Sequence, residues 1–285
     1  MKTLCAPTPR LACFGCCPPI RPAHYDPLDF ARSLRRELLD NRRRLQEEGP
    51  RFRPIVGYSC WGLGFLDPEG RRAGCMLHPF QNGGKELRAL IDYGDKCRRE
   101  SCLPSRMFAL LPEAGQDFWL PMAAGLNTFL YSSPRGNPLF HLMLWGPSVL
   151  EPLRKLALER GWTETELLHR HGFLLDSLWQ PQGSRYLLRL VLERFVEEEP
   201  GTGALEGLCR ELWQRVVALP EVHHPSASSL RALDRVYTHR LPLEDDFRDF
   251  LRLGLQWEKV SLERAQSLEE QVEQLACQVV RTVRN

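Results

Sequence analysis

Eight of the ten cysteines lie within the first 102 residues: Cys5, Cys13, Cys16, Cys17, Cys60, Cys75, Cys97 and Cys102. Thiolates hold iron–sulfur clusters and structural zinc, and dense clusters of them in a reducing compartment point to metal binding or catalysis rather than to disulfides. The start of the chain has Lys2 but no apolar stretch of the ~7–15 residues that an export signal needs, so the expected compartment is the cytoplasm. Eight thiolates suffice for two four-ligand sites, either iron–sulfur clusters or all-cysteine zinc sites.

The spacing narrows this choice. In Cys13-Phe-Gly-Cys16-Cys17 the C-x-x-C turn aims two sulfurs at one centre, and Gly15 eases the tight backbone. Adjacent side chains diverge, so Cys16 and Cys17 serve either two metals or opposite sides of one cluster. Cys5 precedes this group and is the weakest of the eight candidates. Cys60 and Cys75 stand alone, in GYSCWGLGF and GRRAGCMLHP. Cys97 and Cys102 are five apart. On a helix their sulfurs would point about 140° away from each other, whereas a turn would let them converge. The adjacent pair and the long gaps are unlike the paired knuckles of structural zinc sites. Iron–sulfur is therefore the expected cofactor, with zinc the alternative. His78 stands three residues after Cys75 and is read as a polar neighbour of the site rather than a ligand.

Taken together, CFGCC, SCWGLGF, GCMLHP and CRRESC resemble the family of zinc- or iron-chelating cysteine-cluster proteins named for a CxxCxxCC motif. The resemblance covers residues 5–104. It implies metal-ligand status for Cys13, Cys16, Cys17, Cys60, Cys75, Cys97 and Cys102, with Cys5 a displaced substitute for the first cysteine of the opening motif. Some relatives in that family are linked by name to flagellin lysine methylation, which would imply a protein-modifying enzyme.

The elements that must position these thiols are expected to be mainly α-helical. Residues 1–104 read as an irregular, Cys-rich metal-binding domain braced by helices over 27–48 and 85–93, with a turn at Asp67-Pro68-Glu69-Gly70. Asp26-Pro27 reads as the start of the first helix and Gly94 as the end of the second. Residues 105–285 read as a helical domain. Helices are expected over 105–111, 117–130, 148–160, 163–171, 184–198, 203–218, 226–236, 243–256 and 258–283, with 138–146 a candidate short strand. Trp257, Val260, Ala265, Leu268, Val272, Leu275, Val279 and Val283 form one apolar stripe expected to pack on the rest of that domain.

Charge follows the same division. Residues 1–102 carry 18 Lys and Arg against 12 Asp and Glu, a net +6, and the whole chain carries +2. The basic half suits an anionic thiolate centre, and the near-neutral whole argues against an obligatory nucleic-acid partner. No apolar run of about 18 residues spans a membrane. Cys209 and Cys277 lie among helical apolar residues and read as buried thiols. His169 and His171 would diverge by about 200° on a helix, and His223 and His224 are read as surface or capping residues. No P-loop, dinucleotide fingerprint, HExxH or GxSxG appears, so no catalytic residue is assigned. The expected function is a metal-binding protein with a redox, electron-transfer or accessory role. The alternatives are a zinc-stabilised module that binds a protein partner through its helical region, and a methyltransferase-like enzyme.

Overall fold

A computed structural model describes residues 2–17, 26, 28–55, 59–92, 94–99, 102–194, 204–223 and 235–283. The chain is mainly α and forms two compact units, residues 1–140 and 141–285.

In the first unit, helix α1 (Phe30–Glu48) precedes strands β1 (Leu63–Phe65) and β2 (Ala73–Cys75). Helices α2 (Gly94–Arg99), α3 (Leu103–Leu110), α4 (Glu113–Trp119) and α5 (Thr128–Tyr131) follow. Helix α1 starts at Phe30 rather than at residue 27. Asp26 does not cap it, because its carboxylate accepts the Leu28 N–H at 2.9 Å and closes a local turn first. Leu34 and Leu38 face the core, and Asn41 donates to the Leu63 and Cys60 carbonyls at 3.0 and 3.4 Å. That amide ties α1 to the strand beside it. The strands pair antiparallel, with Leu63 opposite Cys75 and Phe65 opposite Ala73. The turn between them is the expected Asp67–Gly70 segment, in which Asp67 accepts the Arg71 and Arg72 amides and Gly70 takes the left-handed conformation (φ +65°).

Two expectations fail in this unit. The helix expected over 85–93 is a single 3-10 turn, Arg88–Leu90, and α2 begins at Gly94, where that helix was expected to end. Ile91 is extended and bridges Arg53, whose N–H donates to the Leu90 carbonyl at 3.0 Å. Tertiary pairing thus overrides the helical pattern. The helix expected over 117–130 is broken into α4, a 3-10 turn at Leu120–Ala123 and α5, with Pro121 and the left-handed Gly125 (φ +78°) at the break.

The first unit also runs past residue 104, because α5 closes over the cysteine segments. The Thr128 hydroxyl lies 2.9 Å from the Ala12 carbonyl and 2.8 Å from the Ala73 carbonyl, and donates to one at a time. Tyr131 Oη donates to the Leu4 carbonyl at 2.8 Å, and Phe14 N–H donates to Ser132 Oγ at 3.1 Å.

Helix α6 (Pro138–Met143) lies where a strand was the alternative. The second unit contains α7 (Pro147–Glu159), α8 (Glu164–Arg170), α9 (Pro181–Arg194), α10 (Ala204–Val217), α11 (Pro220–His223), α12 (Asp245–Asp249) and α13 (Leu262–Val283). Thr163 and Glu166 form a reciprocal capping box at the start of α8. Strands β3 (Val236–Tyr237) and β4 (Lys259–Val260) pair antiparallel. The helix expected over 226–236 lies outside the described residues up to 234, and Val236 is extended. Residues 258–261 likewise precede α13 rather than belonging to it, while Ala265, Leu268, Val272 and Val279 of the expected stripe are buried. Tyr186 packs against Phe247 with ring centroids 4.8 Å apart and the rings tilted by 51°, and Arg185 is buried between Asp246 (2.7 Å) and Asp249 (2.9 Å). Among the described residues no helix is long and apolar enough to cross a membrane.

Candidate metal centre

All eight N-terminal cysteines fall in the first unit, and backbone geometry sets the position of each. Cys13 N–H donates to the Cys5 carbonyl at 2.9 Å, and Cys13 Sγ accepts the Gly15 N–H at 3.3 Å. Cys17 N–H closes a turn onto the Phe14 carbonyl at 2.9 Å. A Cβ on Gly15 would come within 2.6 Å of the Ser132 backbone oxygen, so the turn needs glycine for close approach as well as for flexibility. Cys60 is buried where the chain enters β1, and Cys75 ends β2. Cys97 lies within α2, its carbonyl accepting Arg88 Nη1 at 2.7 Å, and Cys102 stands at the N-cap of α3. The two cysteines do not share one continuous helix: Cys97 belongs to α2, which ends at Arg99, and Cys102 precedes α3.

The electrostatics sort the thiols into two neighbourhoods. Burial pushes Cys13 up to about 12, opposed by the Gly15 N–H and reinforced by the negative charge that Cys5, Cys16 and Cys102 carry when ionised. Cys102 is raised by burial and by Cys16 and Cys5, and Cys5 is raised by burial and by Cys16. In the other group, burial pushes Cys75 up to about 12, with Cys60 and Cys97 adding to the rise. Cys60 is raised by burial and by Cys97. Cys17 is raised well above the ordinary thiol range, first by a hydrogen bond with Cys16, then by burial, by the charge of Cys16 and by those of Cys75 and Cys60, so it touches both groups. This second group also shares one apolar cluster, with Cys60 in its core among Leu34, Leu38, Leu63 and Leu77, and Cys17, Cys75 and Cys97 packed against it.

Amide groups favour the thiolate form at several positions: Gly62 and Leu63 for Cys60, Leu77 for Cys75, and Ser105 for Cys102. Arg88 adds a cation that acts on Cys75 and Cys5 in the same sense. Donor N–H groups and a cation around soft sulfurs are the surroundings that an anionic thiolate centre needs. The donor set therefore fits a metal chemically. Among the described residues, however, no three His, Cys, Asp or Glu side chains are grouped closely enough to hold a metal ion. The thiols stand in neighbourhoods rather than in closed shells.

His78 is placed as a cap. Its Nδ1 accepts the Phe80 N–H at 3.3 Å, its ring stacks on Phe80, and burial followed by the Arg88 charge lowers its pKa to about 4. His169 is exposed and His171 buried, and His224 lies outside the described residues. Thr128, Tyr131, Ser132 and Arg88 hold the cysteine segments and were not singled out in the sequence. The first three lie more than a hundred residues from the motif they touch, and Arg88 sits in a stretch whose pattern suggests only a helix.

Cys209 and Cys277 belong to the second unit. Cys209 is buried in α10 with its thiol pushed up to about 12 by burial, whereas Cys277 is only half-buried and its sulfur accepts Arg194 Nε at 3.2 Å. Cys209→Ala and Cys277→Ala are expected to leave metal content unchanged, each costing about 1 kcal/mol of stability. Metal loss in either would show that the second unit completes the site. A thiol raised in the folded state stabilises that state fully below its unfolded value, and the contribution disappears as pH rises through the folded one. Native Cys209 is accordingly expected to resist alkylation at neutral pH and to react only as alkali approaches pH 12 or the unit unfolds.

No protein-family model, no curated protein and no solved structure matches this chain, so the family resemblance rests on the cysteine motifs themselves.

Proposed function

We propose that residues 1–140 bind metal through their cysteine thiolates, as iron–sulfur clusters, and that the protein has a redox, electron-transfer or cluster-accessory role in the cytoplasm. The observation that carries this reading is the collection of all eight thiols into one unit, among backbone N–H donors and beside Arg88, while the two remaining cysteines lie in the other. Cys5, Cys13, Cys16, Cys17, Cys60, Cys75, Cys97 and Cys102 would hold the metal. Bound clusters would supply one-electron chemistry. The chain's own residues bury Cys60 and partly cover the other sulfurs except the exposed Cys16, donate N–H groups to several of them and hold Arg88 nearby, which favours the reduced, more negative state.

The second reading is a zinc-stabilised module whose helical unit docks a protein partner. Only the choice of metal separates it at the level of the thiols. A methyltransferase-like activity follows from the resemblance alone, as no methyl-donor site is evident in the residues. Protein purified without oxygen is expected to contain iron and acid-labile sulfide and to absorb in the visible. Stoichiometric zinc without sulfide would overturn the cluster assignment in favour of the interaction module.

A further inference from the structure

Building on the thiolate reading above, we propose that the eight cysteines form two separate four-thiolate sites, Cys5/Cys13/Cys16/Cys102 and Cys17/Cys60/Cys75/Cys97, joined through the Cys16–Cys17 peptide. The second set is fixed by the core. The Leu63 N–H bonds the Cys60 carbonyl at 3.0 Å, and Leu63 stands opposite Cys75 in the hairpin, which brings those two cysteines side by side. Cys17 and Cys97 pack on the same apolar cluster. The first set is fixed by the N-terminal loop and the start of α3. The backbone bond from Cys13 to Cys5 joins two members, and Cys102 caps the helix that follows. Tyr131, bonded to the Leu4 carbonyl, lies within electrostatic reach of Cys13, Cys5 and Cys102.

The partition crosses the sequence order twice. It assigns the hydrogen-bonded neighbours Cys16 and Cys17 to different sites, so loading both would break their mutual bond, and it separates Cys97 in α2 from Cys102 at the start of α3. Each site is anionic when loaded, so two sites one peptide apart repel, and the one with the wetter rim should release metal first. Cys16 is exposed, whereas Cys60 lies in the core. The first set is therefore the labile one. The short covalent link would also bring two clusters close enough to exchange electrons.

The test uses the intact full chain. Metal-free protein titrated anaerobically with cobalt(II) is expected to develop thiolate-to-cobalt absorption that saturates at about two equivalents per chain, and at about one in Cys16→Ser and in Cys17→Ser. Graded chelation of the loaded wild-type protein, followed by alkylation and peptide mass spectrometry, does not depend on any variant folding. Cys5, Cys13, Cys16 and Cys102 should become reactive together and first, and Cys17, Cys60, Cys75 and Cys97 together and later. Exposure of all eight in one step, or of Cys16 in the same step as Cys17, would overturn the two-site assignment while leaving thiolate metal binding intact. Absence of any cobalt–thiolate absorption in the wild-type chain would overturn both.

Discussion

Removing metal from the full chain is expected to unfold the cysteine-bearing segments of residues 1–140 while residues 141–285 stay protected. The first unit draws its regular structure from short elements, with two three-residue strands and helices of four to eight residues after α1. Cys60 lies in the apolar cluster, and Cys17, Cys75 and Cys97 form its rim, so the sulfurs occupy places where a larger unit would put hydrocarbon. Such a core offsets little chain entropy unaided, and structural metals in small cysteine-ligated domains contribute about 10–16 kcal/mol of apparent folding free energy. Chelation, or Cys60→Ser, should open the region around Cys60, Cys75 and Cys97 to protease and to amide exchange, leaving α9, α10 and α13 protected. Acid should have the same effect as chelation. The thiols are raised well above neutrality, to about 12 at Cys13 and Cys75, so binding metal means displacing protons, and affinity falls as pH falls. Unchanged exchange protection in metal-free protein would mean a preformed scaffold, and a transiently loaded or catalytic site would then replace the permanently bound one.

The largest effect expected from a single substitution in the second unit is at Arg185. Its guanidinium is buried, 2.7 Å from Asp246 Oδ1 and 2.9 Å from Asp249 Oδ2, and the two carboxylates are themselves mostly covered. Ser148 Oγ donates to Asp246 as well, which fixes that carboxylate against α7. Arg185→Ala would strip both carboxylates of their most buried cation, leaving Asp249 with Arg252 at 3.0 Å and Asp246 with Arg189 at 3.8 Å, at a cost of about 3 kcal/mol, the low end for a broken buried pair and still a large part of the stability of an ordinary domain. Urea unfolding followed by tryptophan fluorescence reads the loss. Adding Asp246→Asn should recover part of it, because that carboxylate is the one left with only a distant cation. A loss under about 1 kcal/mol would show that water reaches the pair and screens it. Metal content should not change, and that separates this effect from the chelation result.

Much of the helical framework is legible in the residues. The capping box at Thr163 and the periodic apolar positions of α13 name their helices because the signals are local. The Asp67–Gly70 turn is equally local. The misses share a physical cause. At Ile91 a bridge to Arg53 wins over a helical pattern, and at Pro121 and Gly125 the backbone breaks a run whose hydrophobic period continues through it. For the cysteines, sequence proximity is a poor guide to spatial proximity. Cys97 and Cys102 look like a pair and fall on separate elements, while Cys60 and Cys75 look isolated and are brought into one neighbourhood by the hairpin in which Leu63 stands opposite Cys75.

The contacts of Gly15 and Thr128 bear on how this unit can be inherited and dissected. Ser132 leaves no room for a side chain at position 15, and the Thr128 hydroxyl serves the backbones on either side of the cysteine loop. The opening motif is therefore not a portable cassette. A fragment ending near residue 104 would retain every candidate ligand and lose the bonds that hold the backbone at Leu4, Ala12, Phe14 and Ala73. In divergent descendants, changes at positions 12–15 should be accompanied by changes at 128–132, so the two segments would be expected to drift as one although more than a hundred residues separate them.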